Sequence, residues 1–95
     1  MAKTQYRSEL TIMHDIMSVT AYEGQSGIRV SRISHKANLS HYVVVEKCQR
    51  LIDAGLIELN QNKRNRIYNL TEKGITFYNE LTRFQNLVSS MNLRC

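Results

Sequence analysis

A turn, a capped helix and the start of a strand follow one another without a break in Asn38-Leu39-Ser40-His41-Tyr42-Val43-Val44-Val45-Glu46-Lys47-Cys48-Gln49-Arg50-Leu51-Ile52-Asp53-Ala54-Gly55-Leu56-Ile57. The Ser40 hydroxyl can accept a hydrogen bond from an otherwise unpaired amide of the first turn, which starts a helix there. Gly55 ends it, because glycine adopts the left-handed backbone of a helix stop without cost. At about 100° per residue, Val44, Cys48, Leu51 and Ile52 share one face, and Tyr42, Glu46, Gln49, Arg50 and Asp53 lie opposite. One side of such a helix packs and the other is free to bind.

The flanking segments supply the partners. From Ser8 to Tyr22, Leu10, Ile12, Met13, Ile16, Met17 and Val19 recur at helical spacing, with Glu9 placed against the positive end of the helix dipole. Glu23-Gly24-Gln25-Ser26-Gly27 breaks the pattern as a loop. A short second helix is expected over Val30 to Ala37, anchored by Ile28, Val30 and Ile33, with Arg29, Arg32 and Lys36 pointing elsewhere. Asn38 tolerates the left-handed region and Leu39 can plug the angle between the second and third helices.

After Gly55, strands are expected at Leu56 to Asn60 and Arg66 to Leu70, with Tyr68 and Leu70 on one side and Gln61-Asn62-Lys63-Arg64-Asn65 as a basic turn. Thr71 then caps a last helix running to about Asn92. In it Phe77, Leu81, Phe84, Val88 and Met91 are spaced 4, 3, 4, 3, the spacing of a short heptad seam. A small domain has core enough for the first half of that helix, but little left to cover Phe84, Leu87, Val88 and Met91.

Ninety-five residues make one domain with a modest core, mainly helical and of the α+β class. The formal net charge of +5 is local. Between Gln25 and Tyr68, eight basic residues face three acidic ones, whereas the flanks hold five of each and cancel. A polyanion would be gripped by that middle segment. The other reading is a solvated basic face that serves solubility.

Several chemistries fail on spacing. His14, His35 and His41 form no His-x-x-x-His pair, and Cys48 and Cys95 no Cys-x-x-Cys, so no metal or other cofactor is expected. Gly24-Gln25-Ser26-Gly27 lacks both the nucleophile-elbow frame and the Lys-Ser or Lys-Thr of a phosphate loop, so no enzyme is expected. Both cysteines are read as reduced thiols. With no apolar run of about 18 residues and a polar stretch over Met1 to Arg7, the chain is expected to be cytosolic and complete, without a membrane partner.

The order helix, helix, presented helix, strand, basic turn, strand, helix is that of a winged helix-turn-helix. Asn38-Leu39-Ser40, Leu51-Ile52-Asp53-Ala54-Gly55-Leu56-Ile57 and Tyr68-Asn69-Leu70-Thr71-Glu72-Lys73-Gly74 resemble small archaeal winged-helix DNA-binding proteins of the Sulfolobus 10a chromatin-protein type. The resemblance runs from about Tyr6 to Asn92. It implies a nucleoid-associated DNA-binding homodimer joined through the C-terminal helix, with the third helix presented to the duplex.

On the residues themselves, Arg32, Lys36, Lys63, Arg64 and Arg66 suit phosphate contact, since long cationic chains displace counterions without demanding a base, and Arg29, Lys47 and Arg50 are expected to join the DNA-binding surface. Ser40, His41, Tyr42, Val43 and Glu46 lie where entry into the major groove brings side chains to base edges. Tyr42 could instead pack over the turn, and Glu46 could pair with Arg50. Residues 1–76 are expected to form the DNA-binding unit. Residues 77–95 are expected to dimerise it, through Phe77, Leu81, Phe84, Leu87, Val88 and Met91. Two functions follow: a double-stranded DNA binder, either a transcription regulator or a chromatin protein, or a winged-helix protein-interaction module with no nucleic-acid role. The second would show a large apolar face where the first carries charge.

Overall fold

The computed structural model describes residues 8–62 and 64–91. Lys63, Asn92 and Cys95, which figure in the expectations above, lie outside them. The elements are helix α1 at Glu9–Glu23, a 3-10 turn at Gly24–Ser26, helix α2 at Val30–Ala37, helix α3 at His41–Asp53, strands β1 at Ile57–Asn62 and β2 at Asn65–Leu70, and helix α4 at Glu72–Ser90.

Three of the four helices start on a hydroxyl cap. The Ser8 Oγ accepts from the Thr11 amide at 3.1 Å, Ser40 Oγ from Val43 at 3.2 Å and Thr71 Oγ1 from Gly74 at 2.9 Å. Each bond satisfies an amide that the first helical turn leaves without a backbone partner. Asn38 closes α2 in the left-handed conformation at φ 56°. At the end of α3, Gly55 turns to φ 79°, its amide reaches the Ile52 carbonyl, and the Leu56 amide reaches that of Leu51. Those two bonds are the reciprocal closure of a Schellman stop.

The end of α3 is held in turn by the start of α4. Thr71 Oγ1 donates to the Gly55 carbonyl at 2.6 Å, Lys73 Nζ donates to that of Ala54 at 3.1 Å, and the Thr71 amide donates to that of Leu56 at 3.0 Å. Gly74 sits so close to this junction that an added Cβ would lie 1.9 Å from the Leu56 carbonyl oxygen. The Leu-Ile-Asp-Ala-Gly-Leu-Ile and Leu-Thr-Glu-Lys-Gly segments are therefore two halves of one joint.

The strands pair antiparallel from Ile57 opposite Leu70 to Asn62 opposite Asn65. Pairing continues into the segment expected to be a five-residue turn, with β1 reaching Asn62 and β2 starting at Asn65. Ile28 adds a single bridge to the sheet: its amide donates to the Tyr68 carbonyl at 3.0 Å, and the Tyr68 amide donates back at 2.8 Å. One extended residue has no periodicity, so the sequence shows Ile28 as an apolar anchor and hides its place in the sheet.

One core joins these elements. Ile16 and Met17 of α1, Ile33 of α2, Val44, Cys48 and Leu51 of α3, and Ile57 and Tyr68 of the sheet are buried together with Ile28 and Leu56. Leu39 packs against this core from the turn, as its position predicts. Helix α4 lies along α1 through a polar seam, where His14 Nε2 is 2.8 Å from Thr82 Oγ1 and the Tyr78 hydroxyl donates to Ser18 Oγ at 3.1 Å. The His14 ring also stacks on Tyr78, with centroids 5.1 Å apart. Among the described residues no helix is long and apolar enough to cross a membrane.

Candidate nucleic-acid interface

The packing of Val44, Cys48 and Leu51 fixes which side of α3 faces outward. His41, Tyr42, Val45, Glu46 and Gln49 are exposed on that side, with Tyr42 at 74%. Tyr42 therefore stands clear of the turn. Ser40 spends its oxygen on the cap, and Val43 is half-buried beneath its neighbours. Val45, absent from the sequence-based set, is 40% exposed and takes the outward place expected of Val43. Helical spacing could have found it, because Val45 lies one turn before Gln49.

Arg29, Arg32 and Lys36 are exposed along α2. Arg29 and Arg32 line a cleft of about 460 Å³ together with Ser31, His35 and Ile67, which brings these cations beside Ile67 of β2. Arg64 and Arg66 are exposed on the wing. Two of the α2 cations have local partners: Arg32 Nε lies 3.4 Å from Glu23, and Lys36 Nζ sits 5.9 Å from the centre of the Tyr22 ring.

Lys47 and Arg50 are placed differently from the expectation. Both reach Glu9 in the first turn of α1, Lys47 at 3.6 Å and Arg50 through its guanidinium in direct contact. The Lys47 side chain is only 14% exposed, so it lies between helices and not on the outer face. Arg50 turns to Glu9, not to Glu46. The reason is tertiary: α1 sets a carboxylate beside α3 across 41 positions of sequence.

Burial pushes the Cys48 thiol up to about 12, so it stays protonated and unreactive near neutral pH. The Tyr68 hydroxyl is raised by burial and by nearby Cys48, with Arg66 opposing. Among the described residues no cluster of His, Cys, Asp and Glu could hold a metal ion.

On α4, Phe77, Phe84 and Leu87 are exposed, as is Met91 at its C-cap, and Val88 is half-buried. Leu81 is only 7% exposed, because this chain's own fold covers it, and that removes it from the surface a partner could meet.

A three-helix unit whose third helix is presented beside a two-stranded wing defines the winged helix-turn-helix class. The chain belongs to the winged helix-turn-helix family, which residues 6–89 match. Its fold is similar to that of Sso10a-2, a DNA-binding protein from Sulfolobus solfataricus, at 20% identity and a TM-score of 0.77 over 90% of this chain and 86% of that one. It is also similar to AF1382 from Archaeoglobus fulgidus, at 19% identity and a TM-score of 0.69, over 81% of this chain and 86% of that one. MepR, a transcription regulator of the Staphylococcus aureus multidrug efflux pump MepA, matches at 20% identity and a TM-score of 0.72. That match covers 83% of this chain and 63% of MepR, so the chain spans less than two thirds of MepR's length. Comparison with curated proteins finds no match.

Proposed function

We propose that this chain binds double-stranded DNA as a transcription regulator acting in the cytoplasm on the nucleoid, with α3 in the major groove and the wing and α2 on phosphates. The observation that carries the reading is a capped helix whose outer face is free, accompanied by exposed cations on the elements before and after it, Arg29 and Arg32 around α2 and Arg64 and Arg66 on the wing. Long cations gripping phosphate supply affinity and orientation, and side chains at the start of α3 then meet base edges. His41, Tyr42, Val45 and Glu46 are the base-facing set, and Lys63 joins the phosphate set by its place in the sequence. Similar folds belong to a DNA-binding protein and to a regulator solved in one variant with an oligodeoxyribonucleotide. The exposed apolar side chains on the outer face of α3 are Tyr42 and Val45, far less than a protein-docking patch requires. The segment of α4 from Phe77 onward forms a homodimer in this reading, through Phe84, Leu87, Val88 and Met91.

Binding to random and genomic duplexes across a salt series tests the reading. Affinity should fall steeply with salt for both, and a genomic fraction bound at least about a thousandfold more tightly would mark a regulator rather than an architectural protein. Absence of duplex binding at low salt would overturn the function.

A further inference from the structure

We propose that Glu9 limits the DNA affinity of this protein by holding Arg50 of the presented helix away from phosphate. The inference rests on the DNA-binding reading above. Arg50 projects from the C-terminal half of α3 with its side chain 57% exposed, so its guanidinium is the one cation on that half with room to reach a backbone. Lys47 is nearly enclosed. One carboxylate oxygen of Glu9 meets both cations. Counting Glu46 and Asp53 of α3 with Glu9 of α1, three carboxylates stand against Lys47 and Arg50, whereas α2 and the wing keep a surplus of positive charge.

An exposed ion pair of this kind holds its members weakly, so phosphate can compete for Arg50, but it must displace a carboxylate to do so. Glu9 is 46% exposed and packs no core, so its charge can be removed with the shape retained. Glu9 is thus an affinity-setting residue that acts through Arg50 and need not touch DNA itself.

The test is a double-mutant cycle of Glu9→Gln and Arg50→Gln on the full chain, read as affinity for a random duplex and as the slope of log affinity against log salt. Glu9→Gln should tighten binding by about two- to five-fold and steepen the slope by up to about 0.9, the value of one added phosphate contact on duplex DNA. Arg50→Gln alone should change affinity by less than about twofold, and in the double variant the gain from Glu9→Gln should disappear. A gain that survives in the double variant would overturn the proposal, because general repulsion between Glu9 and DNA would then explain it. No change on Glu9→Gln would overturn it as well. Failure of the wild-type chain and Glu9→Gln alike to bind duplex would instead remove the DNA-binding reading, and the proposal with it.

Discussion

A Cβ on Gly74 would meet the Leu56 carbonyl at 1.9 Å, and that oxygen already accepts the Thr71 amide. The obstacle is backbone, which no rotamer change can relieve. Gly74→Ala should therefore cost about 1–3 kcal/mol, the range for forced overpacking, and urea unfolding should show a lower midpoint at unchanged slope. Stability within error of wild type would mean that the joint between α3 and α4 gives way easily. Cys48 is constrained through solvation. Its thiol moves from an ordinary 9.0 to about 12 when buried, so between those values the unfolded chain loses a proton that the folded chain keeps. Stability must then fall as pH rises from about 9 towards 12. Cys48→Ala should start less stable, because it leaves a cavity, yet lose less on going from pH 8.5 to 10.5. Parallel loss in both proteins would assign the alkaline sensitivity to other groups.

Helix ends were legible wherever local chemistry marked them. Ser40 and Gly55 bracket α3, Asn38 closes α2, and Thr71 opens α4, because caps and stops act over a few residues that stand together in the chain. Long-range pairings left no such mark. The Ile28 bridge to Tyr68 and the Glu9 pairing with Arg50 join residues 40 or so positions apart, so the sequence presents Ile28 as an anchor and Arg50 as a free cation. The tight wing was missed because Gln61, Asn62 and Asn65 have the composition of a turn, and cross-strand pairing overrides it. Helix α4 carries the element-scale prediction. At 100° per residue Phe77, Phe84, Val88 and Met91 fall within an arc of about 60°, to one side of buried Leu81. Pairing that stripe with a second copy would gain on the order of 1.5–3 kcal/mol for each side chain fully buried, before association costs. In sedimentation, the intact chain should behave as a dimer and Phe84→Glu with Val88→Glu as a monomer. A monomeric intact chain well above micromolar concentration would exclude this mode of assembly.

Across the whole molecule, the cations expected to act together divide into two groups. Arg29 and Arg32 are exposed around α2 and Arg64 and Arg66 on the wing, while Lys47 and Arg50 are drawn to α1. The paired wing matters here, because the pairing of Gln61 with Arg66 sets the backbone of Arg66 within the sheet. In the proposed complex this separates two kinds of interaction that different measurements can resolve. Arg64→Ala with Arg66→Ala should weaken binding to all duplexes by a similar factor and flatten the salt slope by about 0.9 for each phosphate no longer neutralised, since counterion release carries no sequence information. His41→Ala with Tyr42→Ala should leave the slope nearly unchanged. Instead it should narrow the gap between preferred and random duplexes, because removing a base-edge interaction costs about 1–3 kcal/mol only where that base is present. The two pairs can thus be told apart on one set of duplexes at several salt concentrations. If the wing pair altered sequence preference and the α3 pair altered only the slope, the orientation proposed for the protein on DNA would have to be reversed.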